Sequence, residues 1–309
     1  MDNICHTLVG AALGETGLKR RTRLGNATLM IAANLPDLDV LVYATSTPAV
    51  VFRRGWTHGV LAQVTLPLLL TLVMVAWARW RPAPRDEPPV SLGWLVAFSY
   101  LGVYSHVFLD FLNNYGVRLL MPLERRWFYG DTLFIIDPWL WGLLGAGVWR
   151  ARRLLTPRPA RIAVAIACVY IGLMLGGARA AHQVVTDTWT RTTGAPPAAL
   201  MVGPRPVSPF TRDVILDAGD RYVTGTFSWI SRSVTFADEV PKIEGDPLVQ
   251  QARRNPAIAS FLVWSRFPAW TVVRGADTSE VSVSDLRFRP LRAIPGSSRF
   301  EVAVTVANR

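Results

Sequence analysis

The sequence predicts a mainly α, polytopic membrane protein with four to five hydrophobic spans and a small β-rich extramembrane domain at its C-terminal end. Three observations lead there. Half of the 309 residues are apolar and the mean hydropathy is positive, which is too oily for a soluble chain of this length. The apolar residues fall in blocks of span length rather than at amphipathic spacing. After about Gly194 the blocks stop, and runs that alternate apolar with polar or small residues begin.

Residues 4–18 and 26–43 are shorter or more polar than a full span. They are expected to form a hairpin of two half-buried helices around the basic turn Lys19-Arg20-Arg21-Thr22-Arg23. Four segments read as clear spans: 60–78, 92–112, 133–149 and 162–181. Each is near the length that crosses ~30 Å of hydrocarbon at ~1.5 Å per residue. Pro67 and Pro138 are compatible with this, because neighbouring helices satisfy the backbone groups that proline frees. The domain division is therefore 1–181 in the membrane, a linker at 182–210 and a β-rich domain at 211–309. The linker holds Pro196, Pro197, Pro204, Pro206 and Pro209, and His182 at its start is expected to be solvated. Strands are expected at 221–230, 260–264, 270–273, 280–289 and 299–306.

The formal charge of +11 would suit nucleic acid, but the basic residues sit in short runs between apolar blocks and no recognition motif accompanies them. Nucleic acid is not expected as a partner; the lipid bilayer is. One side of the membrane would carry Lys19, Arg20, Arg21, Arg23, Arg79, Arg81, Arg85, Arg150, Arg152, Arg153, Arg158 and Arg161. The other, before the last span, would carry only Arg53, Arg54, Arg118, Arg125 and Arg126. Positive residues mark the cytoplasmic side, so the C-terminal domain is expected outside, against the outer leaflet. Cys5 and Cys168 lie far apart in apolar stretches and predict no disulfide. No cleavable signal peptide is expected, since Asp2 and Asn3 stand where a basic region would.

Ionisable groups within spans are costly, which marks them as functional candidates. Three of the four histidines lie in the membrane half: His6, His58 and His106. Asp37 and Asp39 sit in Asn34-Leu-Pro-Asp-Leu-Asp39, and Asp110 follows His106 by four residues, on the same helical face. With the hairpin dipping toward the basic turn, all of these return to one membrane depth, with Asp131 and Asp137 flanking the start of the third clear span. Neutral imidazoles and carboxylates converging from several elements make a metal site, with zinc as the first expectation. Two ions would clamp a phosphoryl group. The Asn34–Asp39 stretch also reads as a turn with Asx caps, and Arg125-Arg126-Trp127 reads either as an interfacial belt or as a phosphate clamp.

These residues stand in a pattern. Met1-Asp-Asn-x-x-His6 with Gly10, Asn34-Leu-Pro-Asp-Leu-Asp39, Arg54-Gly-x-Thr-His58-Gly59, Ser105-His-x-x-Leu-Asp110 and Asn114-Tyr-Gly116 resemble the bacterial membrane-bound metal-dependent hydrolase family, including its LexA-regulated inner-membrane branch. The likeness continues through Trp127-Phe-Tyr-Gly-Asp131 to Ile136-Asp-Pro138 and covers about residues 1–140. It implies a multi-pass protein of the bacterial inner membrane. It implies His6, Asp37, Asp39, His58, His106 and Asp110 as metal ligands, with Asp39, Asp131 and Asp137 as acid–base candidates. The residue types are also similar to those of zinc-dependent phospholipase C and single-strand nucleases, whose N-terminal ligand is a free amine; His6 behind Met1 departs from that.

The expected function is hydrolysis of phosphoric esters, lipid or lipid-linked, at the membrane interface by one or two divalent ions, with Arg125 and Arg126 binding substrate. The alternative is a non-catalytic metal-binding or structural inner-membrane protein in a stress response.

Overall fold

Helix α1 (Asn3–Glu15) begins where the Asp2 carboxylate accepts the backbone N–H groups of Ile4 and Cys5, satisfying donors that a helix start leaves open. The computed structural model describes residues 1–45, 49–81, 87–288 and 300–308. Arg85 of the basic loop, and the Arg289 and Arg299 ends of two expected strands, lie outside the described residues. The chain divides into two units, Met1–Leu41 with Arg53–Gly177, and Val42–Phe52 with Ala178–Arg309.

In the first unit α1 ends at a 3-10 turn, Leu18–Arg20, behind Gly17 at φ +114°. The chain returns as α2 (Gly25–Ala32), followed by a 3-10 helix, Leu35–Ala44, bent by 49° from it. Helix α1 packs on α2 and α2 on α5 (Leu92–Phe111), while α4 (Val60–Trp80) packs on α5 and α6 (Pro138–Arg153) on α1. Close approach is built into two glycines. A Cβ on Gly10 would lie 2.7 Å from the Leu29 carbonyl oxygen, and one on Gly102 would lie 2.3 Å from the Ala32 Cβ. These contacts bring α1 and α5 against α2, as small residues do between membrane helices.

Among the described residues, three helices are long and apolar enough to cross a membrane: α4, α5 and α7 (Arg158–Thr193). The bent pair Gly25–Ala32 with Leu35–Ala44 would make a fourth. The segment expected to span at 133–149 becomes helical only at Pro138, where Asp137 caps α6 and Pro138 takes its first turn. Its four preceding residues are held otherwise, with Ile135 accepting the Asp2 N–H at 3.1 Å.

The second unit contains the short helix α3 (Ala49–Phe52) and two antiparallel sheets. The first sheet orders β1 (Ala199–Pro204), β2 (Thr211–Asp217), β3 (Arg221–Ser228) and β4 (Ser233–Pro241) as a meander. The second orders β5 (Pro268–Arg274), β6 (Thr278–Asp285) and β7 (Glu301–Ala307). Two expectations differ from this. The span at 162–181 does not give way to a linker at 182, because α7 continues to Thr193. Ala181, Val185 and Trp189, spaced four apart, form an apolar stripe buried with Val202, Leu216 and Phe227 of the first sheet. Residues 260–264 are not a strand either. Helix α8 (Pro247–Ala252) and then α9 (Pro256–Leu262) start on Asp246-Pro247 and Asn255-Pro256. The Asn255 side chain accepts the Ala257 N–H, so a helix-start signal outweighs the β-favouring run behind it.

Asp285 and Arg287 form a buried pair at the end of β6. Asp285 accepts from Arg287 Nε at 2.8 Å, Ser265 Oγ at 2.8 Å and the Arg266 N–H at 2.7 Å. Burial pushes the Asp285 carboxyl up, but the Arg287 guanidinium and these hydrogen bonds outweigh it and hold the carboxyl below its usual range. A depressed carboxyl contributes stability above its unfolded pKa and loses it as pH falls through the folded value. Asp285→Ala, which strands a buried guanidinium, is expected to cost about 3–5 kcal/mol at neutral pH. Hydrogen exchange in the peptide carrying β6 reads this directly: protection should fall in the variant at pH 7, and the difference should begin to shrink below about pH 4, where the unfolded chain takes up the proton, and vanish as pH falls through the lower folded value. Unchanged protection at pH 7 would refute the role of the pair.

Candidate metal centre

Four elements deliver the cluster. His6 comes from the first turns of α1, Asp37 and Asp39 from the 3-10 helix after α2, His58 from the turn before α4, and His106 and Asp110 from α5. One ligand atom each from Asp37, His58, His106 and Asp110 lies within 4.8 Å of all the others, and all four residues are buried. His6 stacks on His106 with ring centroids 3.8 Å apart, and its Nε2 is 3.4 Å from Asp110 Oδ1.

Hydrogen bonding fixes which imidazole nitrogens face inward. His106 Nδ1 lies 2.7 Å from the Ala33 carbonyl oxygen, which can only accept, so Nδ1 carries the proton. The Thr57 hydroxyl donates to Asp39 Oδ2 at 3.2 Å and therefore accepts from His58 Nδ1, 2.9 Å away. The two Nε2 atoms then face one another, 3.1 Å apart, with Asp110 Oδ2 3.2 Å from that of His58. Two such nitrogens beside carboxylates form a set that can hold a metal ion. Ligand atoms held tetrahedrally at about 2.0–2.1 Å from zinc lie about 3.3–3.4 Å apart, close to these separations. Asp37 Oδ1 and both ring nitrogens of His6 are buried without a hydrogen-bond partner, an expensive condition that a shared ion relieves. The donor set fits a divalent metal.

The groups around the cluster hold it in place. Asp39 accepts from Arg53 Nε at 3.2 Å and from the Arg54 N–H at 2.7 Å, besides Thr57. It thereby anchors the segment that carries His58, an arrangement that fixes ring orientation in metal sites. Arg54 adopts a left-handed backbone, φ +51°, rarely populated by non-glycine residues and kept where surrounding contacts over-determine it. Its guanidinium reaches Asp110 at 3.0 Å and Asn113 Oδ1 at 2.9 Å and lies over the Tyr115 ring. The Met1 amino nitrogen also contacts Asp110. Arg54, Asn113 and the Met1 nitrogen were not among the expected site residues. The spacing of Arg54 to His58 was visible in the motif, whereas nothing in the sequence pattern marks a nitrogen 109 residues away from its carboxylate.

The other expected residues stand elsewhere. Asp137 accepts the Trp139 and Leu140 N–H groups and the Tyr170 hydroxyl, so its carboxylate is engaged in starting α6. Asp131 has a left-handed backbone, φ +47°, and is half-buried. Arg125 and Arg126 are exposed, the latter paired with Glu124 at 3.4 Å and lying over Phe128; the structure does not bring them among the groups contacting the cluster.

A family model described as YdjM inner membrane protein matches residues 1–183, the stretch that holds every residue of this centre. The chain belongs to the YdjM inner membrane protein family. That description accords with the three spans, and it identifies the membrane in which the centre lies. A relative described as uncharacterized protein YfhP, from Bacillus subtilis (strain 168), is 22% identical over 308 residues, covering 94% of this chain and 87% of that protein. No solved structure matches the chain. The likeness to YfhP extends past the family match into the second unit.

Proposed function

We propose that the centre serves a membrane-bound hydrolase of phosphoric esters, with a lipid or lipid-linked phosphate as substrate and zinc as the ion. The observation that supports this reading is the inward convergence of two imidazole nitrogens and two carboxylates, all from different turns and all buried. A bound divalent ion supplies an electrophile for phosphoryl oxygens and acidifies water. His58, His106, Asp37 and Asp110 would hold it, with His6 at the edge as a further ligand or the start of a second position. Asp39 keeps His58 oriented through Thr57 and, of the expected acid–base carboxylates, lies nearest a ligand histidine, 3.7 Å from Nδ1. Arg54 supplies fixed positive charge beside the place where a phosphoryl group would sit, a role in which preorganised cations stabilise developing charge. The arginine and lysine asymmetry supports an outer, periplasmic side for the centre and for residues 182–309.

A second reading, a non-catalytic scaffold, has its own support: Asp110 is already faced by Arg54 and the Met1 nitrogen, so its charge is compensated by the chain itself. Activity separates the two. Detergent-solubilised protein is expected to turn over a phosphomonoester or phosphodiester headgroup analogue, to lose turnover in chelator and to regain it on adding zinc. Metal-replete protein that is inert across a broad phosphoester panel, and that chelator merely destabilises, would establish the scaffold reading instead.

A further inference from the structure

At the far end of α1 from His6 the first unit contains a second polar recess, with no share in the metal centre. It is a cavity of about 450 Å³ walled by Glu15, Lys19, Arg20, Asn26, Arg152 and Leu155 among others. These come from four places: the end of α1, the 3-10 turn, the start of α2 and the end of α6. Three cations face one carboxylate, so the wall carries a net positive charge of two.

The charges are arranged rather than merely gathered. Glu15 is only 5% exposed. It accepts from Lys19 Nζ and, at 2.8 Å, from Arg152 Nε, fixing two cations from different elements on either side of the recess. Arg152 uses only Nε in this pair, and Arg20 makes no ion pair among the described residues. A retention signal for the cytoplasmic side needs only positive charge near the span ends. It needs neither a cavity nor a buried carboxylate that sets the spacing of the cations.

Depth decides the ligand. Arg23, in the turn after Arg20, donates to the Ala78 and Arg81 carbonyls at 3.2 and 2.9 Å, placing this end of the bundle at the end of α4. Exposed Trp80 closes α4 there, and exposed Trp149 lies in the last turns of α6; tryptophan in such positions marks the interfacial level of a bilayer. Leu155 at the rim is 84% exposed, an apolar surface beside a polar recess. We propose that this recess binds a phosphate-bearing anion, and that at this depth the anion is the headgroup of an anionic phospholipid. Arg20 and the outer nitrogens of Arg152 would bond the phosphate. Basic recesses between membrane helices bind such headgroups through the same chemistry.

Native mass spectrometry of the full chain in mild detergent tests this with phosphatidylglycerol, phosphatidylcholine of matched chains, and inorganic phosphate as probes. Wild type is expected to retain one phosphatidylglycerol at least about tenfold better than phosphatidylcholine. Arg20→Gln, which breaks no ion pair, should reduce retention about fivefold, the scale of one basic residue at a membrane surface. Arg153→Gln, which removes an equal charge from the neighbouring position outside the recess, should leave retention unchanged. Binding of inorganic phosphate with the same dependence on Arg20 would support the anion site and identify a free phosphate as its ligand. Equal retention of the two lipids with no phosphate binding, or equal loss in Arg20→Gln and Arg153→Gln, would overturn the proposal, since diffuse charge would then explain the binding.

Discussion

His106→Ala is expected to lower the metal content of purified protein at least tenfold, from near one ion per chain, while leaving membrane insertion intact. The reason is geometric. The Nε2 lone pair of His106 is aimed by the Nδ1 bond to Ala33 and faces His58, Asp110 and Asp37 together. Alanine removes a ligand from the tight four, and loss even of groups behind the ligands typically costs ~10–100-fold in affinity. His58→Ala should behave alike, since its Nε2 is the facing partner. His182→Ala is the control, being exposed on α7. Elemental analysis per mole of protein gives the answer. Metal content unchanged in both His58→Ala and His106→Ala would sink the shared site.

What was legible in the sequence follows physical lines. The long spans were legible because lipid imposes apolar runs of fixed length, and α4 and α5 agree with residues 60–78 and 92–112 to within two residues at each end. The span at 133–149 was misjudged at its start because Leu133 to Ile136 are apolar for a different reason. They include Leu133, which is buried in the core of the first unit without being helical. Prolines from Pro196 to Pro209 point to a linker, while the apolar stripe Ala181, Val185 and Trp189 carries α7 on to Thr193. The strand assigned to 260–264 rested on bulky apolar residues, where Asn255-Pro256 just upstream was the better guide.

The cluster itself was legible as a set of residue types, since ionisable groups in apolar spans stand out by their cost. Their division of labour was not. Six expected ligands resolve into a tight four, a stacked His6, and Asp39, which holds the backbone of Arg54 and the hydroxyl of Thr57. That difference depends on a left-handed residue and on distances of a few tenths of an ångström, neither of which spacing encodes. The motif holds Arg54 four residues before His58, but spacing does not show that its guanidinium is the cation nearest the Asp110 carboxylate after the Met1 nitrogen.

Arg54→Gln is the substitution that tests whether the cluster holds a metal ion or is a salt-bridged group of side chains without one. Arg54 is 5% exposed and Asp110 fully buried, so the variant leaves a buried carboxylate short of its guanidinium, a change that costs about 3–5 kcal/mol when nothing compensates. In chelator, both readings predict that loss, seen as a fall in thermal stability. They part when zinc is added. If the cluster is a metal site, a divalent ion replaces the missing positive charge and no longer meets the repulsion of Arg54. Reciprocity of coupled binding then requires the variant to gain more from metal than wild type gains. At zinc near 100 times the dissociation constant the gain is about 2.7 kcal/mol, enough to restore most of the loss. If the cluster is a salt-bridged scaffold, zinc leaves the deficit unchanged. The readout is the shift in midpoint of thermal unfolding for both proteins, with and without zinc, at one protein and detergent concentration. A larger zinc-induced shift in Arg54→Gln than in wild type supports the metal centre, and no shift in either protein rejects it in favour of a metal-free, salt-bridged cluster.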